Sequence, residues 1–290
     1  MPDFLELDLD QVRLKALTWG PTDGPLALLL HGFPDSAHTW RHLGPVLAAE
    51  GYRVVAPFTR GYAPSGIPRD GRVDVGALVD DAVGIHAALG ADDSAVLVGY
   101  DWGALTANTL AAHRDSPFHR VVSMAVPPLA ALPLGQTAKH LPGQARRSWY
   151  VGFNQLPFLP ERSLDRLVPK LWHDWSPGYD ATVDVAHTLE ALADPRARRT
   201  ALDYYRQIAR PIRVPQRYRR WQAAMTDSAR VPVLYLHGRD DGCMTWRFAE
   251  IARDRVPMDT EIRVVERSGH FLHLEQPTEV AELVVEFLQH

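Results

Sequence analysis

An aspartate stands at the centre of Gly99-Tyr100-Asp101-Trp102-Gly103, between an apolar run and a helix-forming segment. Glycines on both sides of a central residue fit a strand-turn-helix bend so tight that neighbouring side chains would collide with the crossing backbone. Such a bend holds its middle residue exposed and strained. Ser or Cys in that frame performs acyl transfer, whereas a carboxylate attacking a carbonyl would give a labile anhydride. Attack at a saturated carbon gives an alkyl ester instead, which water can cleave at the aspartate's own carbonyl. The expected electrophile is therefore sp3 carbon. Such a scheme needs a histidine to activate water and an acid to fix the histidine's tautomer. Later in the chain the acids Asp240 and Asp241 and the histidines His270 and His273 offer these groups. A lone Asp at a strand end also reads as a helix N-cap, a reading that the glycine frame and these partners disfavour. Cys243 is a weaker nucleophile candidate, set in a polar loop without such a frame.

These residues need elements to hold them. Phe4 to Asp10 and Gln11 to Trp19 alternate apolar and polar residues as antiparallel edge strands do, with Gly20 to Gly24 as a turn. Leu26 to Leu30 is a continuous apolar run, the pattern of a strand buried on both faces of a parallel sheet. The series continues with a helix over 37–50, a strand Tyr52 to Ala56, a helix over 73–89, the strand before Asp101, a helix Ala104 to Arg114 and a strand Val121 to Ala125. From Val126 to about residue 230 the rhythm becomes helical, with scattered prolines and many aromatics. Strand patterns return at Val231 to Leu236 and Glu261 to Val265, and an amphipathic helix Thr278 to Gln289 closes the chain. The alternation predicts an α/β protein with a mostly parallel central sheet flanked by helices. Residues 1–128 and 230–290 form the core, and 129–229 a helical cap inserted after the sixth strand. Asp101, Asp241 and His270 then fall at the C-terminal ends of parallel strands, where ligands of open α/β sheets bind.

Composition narrows the function further. The 290 residues carry a net charge of -4 and are 46% hydrophobic, so one sizeable core is available. No long charged run recommends nucleic acid or an anionic membrane as a partner. The densest basic cluster, Arg217-Tyr218-Arg219-Arg220, reads as a solvated helix face. The first residues lack a basic and apolar leader, and no stretch approaches the roughly 18 apolar residues of a membrane span, so a cytoplasmic protein is expected. A single cysteine excludes an internal disulfide and a Cys-based zinc site.

Several motifs in order make the chain similar to the α/β-hydrolase superfamily, and within it to the epoxide hydrolases. His31-Gly32-Phe33-Pro34 resembles the family's HGxP loop, Arg60-Gly61-Tyr62 with Ser65 resembles its RGxGxS turn, and Asp101, Asp241 and His270 follow its chain order of nucleophile, acid and histidine. The resemblance covers nearly the whole chain. It selects Asp241 over Asp240 by the pattern G-x-x-D from Gly238, and His270 over His273 by Gly269-His270-Phe271, which leaves His273 a packed histidine. It implies that the N-H groups of Phe33 and Trp102 form an oxyanion hole and that the Phe33-Pro34 bond is cis. Val126-Pro127-Pro128, where some relatives keep the acid, has no carboxylate. His31, Gly32, Pro34 and Tyr100 are expected to border the substrate pocket.

The leaving group separates two branches. A halide needs only N-H donors, while an epoxide oxygen leaves as an alkoxide and needs a proton. Ser148-Trp149-Tyr150 before Phe153-Asn154-Gln155-Leu156-Pro157, and Asp203-Tyr204-Tyr205-Arg206, resemble the two cap segments in which epoxide hydrolases carry proton-donating tyrosines. By that resemblance Tyr150 and Tyr205 are the donors, with Tyr204 as the fallback. Trp102 is also the halide-binding position of haloalkane dehalogenases and does not discriminate. The chain departs from the commoner epoxide hydrolase pattern at Tyr100, Ala63 and Phe58, positions expected to border the site. The implied activity is hydrolysis of a small epoxide to a vicinal diol, with water as co-substrate and without metal or cofactor. A haloalkane-type dehalogenase and a catalytically idle ligand-binding protein are the alternatives, and the oligomeric state stays open.

Overall fold

The computed structural model describes residues 2–210 and 213–289; residues 1, 211, 212 and 290, which fall within the expected core and cap ranges, lie outside it. The strands are β1 (Asp3–Asp8), β2 (Arg13–Trp19), β3 (Leu26–Leu30), β4 (Arg53–Pro57), β5 (Val96–Tyr100), β6 (Arg120–Met124), β7 (Val233–Gly238) and β8 (Thr260–Val265). They form one sheet in the order β1-β2-β4-β3-β5-β6-β7-β8. The β1-β2 and β2-β4 pairs are antiparallel and all the others parallel. The alternating N-terminal segment is therefore the edge hairpin. The all-apolar β3 and β5 are central, and every residue of both is buried, as strands covered on both faces must be.

In the first half, α1 (Leu43–Ala49), α2 (Val75–Ala88) and α3 (Trp102–Ala112) connect the parallel strands. The expected helix over 37–50 is interrupted. A 3-10 turn, Ala37–Arg41, precedes α1, because Pro45 lacks an N-H and its ring would strike the carbonyl four residues back, which confines it to a first helical turn.

Between β6 and β7 run α4 (Leu134–Thr137), α5 (Leu141–Arg147), α6 (Trp149–Phe153), α7 (Leu159–Trp175), α8 (Thr182–Ala191), α9 (Pro195–Ala209) and α10 (Gln216–Gln222). The last of these packs on α2 of the core. Gly76 makes that approach close, since a Cβ there would stand 2.4 Å from the Tyr218 carbonyl oxygen. The basic cluster on α10 is only partly solvated: Arg219 and Arg220 are exposed, Tyr218 is buried, and Arg217 pairs with Asp10 at 2.6 Å and Asp80 at 2.7 Å. After β7 come α11 (Arg247–Arg253), α12 (Leu272–Glu275) and α13 (Pro277–Gln289). No described helix is long and apolar enough to cross a membrane.

Candidate active site

Asp101 follows β5 directly and takes φ 53° and ψ -112°, a left-handed conformation unusual for a non-glycine residue that costs about 1–3 kcal/mol. The flanking glycines are obligatory. A Cβ on Gly99 would stand 2.1 Å from the Gly103 carbonyl oxygen, and one on Gly103 would stand 2.0 Å from that of Leu30. Although Asp101 sits at the N-cap of α3, its side chain makes no capping bond. It accepts from the Phe33 N-H at Oδ1, 2.8 Å. Gly32 permits this approach, because a Cβ there would lie 2.3 Å from Asp101 Cβ. Trp102 opens α3, so its N-H is one of that helix's first-turn donors free of an intrahelical partner.

The Phe33 loop is braced from both sides, and its Phe33-Pro34 peptide is cis. His31 Nδ1-H donates to the Gly32 carbonyl at 2.9 Å, and His31 Nε2 accepts from the Thr59 N-H at 3.0 Å. Burial lowers the pKa of His31 to about 4, so the ring stays neutral in that role. The Pro34 carbonyl accepts from Trp172 Nε1-H at 2.8 Å and Thr188 Oγ1-H at 3.3 Å, which ties α7 and α8 of the insertion to the loop.

His270 lies between two carboxylates. Its Nδ1 is 2.9 Å from Asp241 Oδ2, and its Nε2 is 3.6 Å from Asp101 Oδ2. The other Asp241 oxygen, Oδ1, accepts from the N-H groups of Cys243 at 2.7 Å and Met244 at 2.8 Å. The Trp175 carbonyl, at the end of α7, accepts from the N-H groups of Gly242 and His270, both at 3.0 Å, and so joins the acid loop to the histidine loop. Burial alone would lower the pKa of His270, but the adjacent Asp241 carboxylate overrides it and raises the pKa well above the usual value. In the same way burial would raise the pKa of Asp241, and the imidazole beside it brings the pKa below the usual range. Asp240 is exposed. His273 is buried, with Nε2 2.5 Å from Thr39 Oγ1 and its ring stacked on Trp40, and burial lowers its pKa to about 3. Tyr100 packs against the rings of His270 at 5.2 Å and His273 at 4.8 Å, so it meets the site through His270.

Of the adjacent tyrosines on α9, only one turns to Asp101. Consecutive helical residues diverge by about 100°. Both rings meet Trp102, Tyr204 at 5.2 Å and Tyr205 at 5.4 Å, but the Tyr204 hydroxyl donates to the Arg60 carbonyl at 2.9 Å, whereas the Tyr205 ring meets Phe33 at 5.1 Å and Tyr150 at 5.4 Å. The Tyr205 hydroxyl is buried with no hydrogen-bond partner among the described residues. Burial raises the pKa of both Tyr150 and Tyr205 well above the usual value, which keeps both phenols protonated. Arg206, next to Tyr205, donates to the carbonyls of Asn154 and Leu156, each at 2.9 Å, and so couples the segment after Tyr150 to α9.

Cys243 departs from expectation. It is buried, with Sγ 3.5 Å from the Tyr150 hydroxyl, because the turn after Asp241 curls inward to aim two N-H groups at Oδ1. Asp241, Cys243 and His270 bring ligand-type atoms within 4.8 Å of one another. Hydrogen bonds already occupy both Asp241 oxygens and His270 Nδ1, leaving fewer free donors than the three or four a protein metal site uses. Trp175 and His237, which also touch this network, escaped the sequence reading. The available signal for His237 was its place two residues from Tyr235 on one face of β7.

The fold and this arrangement define a hydrolase-type α/β protein. The α/β hydrolase fold family matches residues 25–277, and the chain belongs to that family. It is 29% identical over 288 residues to the AB hydrolase superfamily protein YfhM of Bacillus subtilis, covering 96% of this chain and 95% of that protein. It is also 29% identical over 316 residues to Epoxide hydrolase A of Mycobacterium tuberculosis, covering 97% and 96%. Among solved structures, one from Klebsiella pneumoniae superposes with a TM-score of 0.83 at 23% identity over 99% of this chain and 98% of the other. Epoxide Hydrolase A of Mycobacterium thermoresistibile superposes with a TM-score of 0.77 at 24% identity over 100% and 98%.

Proposed function

We propose that this protein is an epoxide hydrolase working through a covalent aspartyl ester. The observation that carries the reading is a pair of buried phenols above the elbow: Tyr205 packs on Phe33 and Trp102, which flank Asp101, and Tyr150 packs edge-on against Tyr205. A halide would not require them; an alkoxide does. The Phe33 N-H holds Oδ1 of Asp101, so Oδ2 attacks the ring carbon. As the carbon-oxygen bond of the ring breaks, the departing oxygen takes a proton from a tyrosine. Oδ1 is then the ester carbonyl oxygen, already seated against the Phe33 N-H, with Trp102 N-H as the second oxyanion donor. Water gives a proton to His270 Nε2 and attacks the ester carbon, while Asp241 stabilises the imidazolium. The tetrahedral intermediate collapses as the ester oxygen takes the proton from His270 Nε2, which releases the diol, and the proton of the resulting Asp101 carboxylic acid returns to the tyrosinate, restoring both groups. The relatives named as epoxide hydrolases support the same reading.

In this reading residues 129–229 act as a lid that supplies the proton donors, and a small epoxide and water in the cytoplasm are the only reactants. Incubation with styrene oxide and, separately, with 1-bromobutane tests it: diol from the first is expected. Bromide without diol would establish a dehalogenase instead, and neither product, with ligand bound, a binding protein.

A further inference from the structure

The acid Asp241 is held by more than its histidine partner. Beside the same Oδ2 that His270 Nδ1 holds stands His237 on β7, fully buried, with Nε2 3.1 Å from the Met244 carbonyl oxygen and 3.5 Å from Asp241 Oδ2. Its Nδ1 is 2.5 Å from the hydroxyl of Tyr235, also fully buried and two residues earlier on the same strand face. These contacts assign the tautomer. Nε2 faces two acceptors and must carry the proton, so Nδ1 is the acceptor and the Tyr235 O-H donates to it. Burial lowers the pKa of His237, consistent with a neutral ring.

From this geometry we infer that His237 is a positioning residue for the hydrolytic half of the reaction, locked in its Nε2-H tautomer by Tyr235. The Met244 carbonyl that it anchors belongs to the same residue whose N-H clamps Asp241 Oδ1. Its ring also stands 3.5 Å from Oδ2, the oxygen that His270 Nδ1 holds, so it occupies space into which that carboxylate would turn. Without it the 241–244 turn loses its only described side-chain tie to β7, and Asp241 can swing out of line. The consequence falls on one step. Ring opening uses Asp101 and the tyrosines and is untouched, whereas ester cleavage depends on His270 being correctly oriented and balanced by Asp241.

This inference rests on the aspartyl-ester reading, so the test separates the two. The variants are His237→Leu, which removes the donor at similar volume, His237→Gln, whose amide N-H occupies the place of Nε2-H, Tyr235→Phe, which frees the tautomer, and His270→Gln as the control. Each is mixed rapidly with styrene oxide, quenched, and followed by intact mass for the rates of ester appearance and loss. His237→Leu should slow ester loss roughly tenfold or more with ester appearance unchanged. His237→Gln should recover most of that loss, and Tyr235→Phe should fall between. If His237→Leu does not fold, Tyr235→Phe decides alone. Ester loss at the wild-type rate in the folded variants, or both steps slowed alike with no rescue by Gln, overturns the positioning role while leaving the ester reading intact. Absence of any ester in His270→Gln overturns the ester reading itself.

Discussion

His270 presents Nε2 to Asp101 Oδ2 at 3.6 Å, too long for a tight hydrogen bond yet close enough for each to feel the other's charge. That spacing leaves Oδ2 available as a nucleophile and leaves room at Nε2 for a water once the carboxylate has become an ester.

The first prediction follows from the division of labour. Asp101→Ala should abolish turnover, because no other carboxylate occupies the elbow. His270→Gln should still form the ester but hydrolyse it on the order of 10²–10⁴-fold more slowly, so intact mass should show the protein heavier by the mass of the epoxide. An unmodified His270→Gln protein after exposure to substrate contradicts the two-step scheme.

A second prediction concerns the phenols. Tyr150→Phe and Tyr205→Phe should each slow ester formation by about tenfold or more, and the double variant by on the order of 10³-fold, with ester breakdown and the thermal unfolding midpoint little changed. Tyr204→Phe instead removes the bond to the Arg60 carbonyl, so it should affect stability, by about 1 kcal/mol, more than chemistry. Unchanged rates in both the 150 and 205 variants would mean the donors lie elsewhere.

Titration of His270 gives the third. Asp241 is the main cause of its raised pKa and Asp101 adds to it. Asp101→Asn should therefore lower that pKa, and Asp241→Asn should lower it further, as read by NMR of the imidazole. Forming the ester neutralises Asp101 in the same way, so it shifts His270 toward its neutral, basic form. Ester breakdown should rise with pH through a midpoint below the resting enzyme's His270 pKa. A His270 titration that is indifferent to Asp101→Asn would count against this coupling.

The fourth concerns stability. The folded-state pKa of His31 is lowered to about 4 from 6.5, so between those values the unfolded chain binds the extra proton. Its contribution is complete above pH 6.5 and is lost as the pH falls toward 4. Relative to His31→Gln, the wild type should lose on the order of 3 kcal/mol of unfolding free energy across that window. Parallel urea titrations of the two proteins at several pH values measure it. A constant difference between them would show that His31 titrates with the same pKa in the folded and unfolded states.

Local pattern carried much of this protein. Period-2 alternation identified the edge hairpin, continuous apolar runs identified the central strands, and the glycines around Asp101 identified the bend, because each follows from the residue's own backbone and nearest neighbours. The choice of Asp241 and His270 came from the resemblance to a family; in the structure Asp101 directly follows β5, whereas Asp241 and His270 sit in the loops after β7 and β8. Resemblance pointed to Tyr205, but the helix phase is set by tertiary packing: one residue of helix rotates a side chain by about 100°, and it is the Tyr205 ring that meets Phe33 while the Tyr204 hydroxyl bonds the Arg60 carbonyl. Tertiary structure alone turned Cys243 inward and set His237 beside Asp241, since both depend on where the 241–244 turn places its N-H groups. It also laid α10 against α2, a contact between segments about 140 residues apart that no local periodicity encodes.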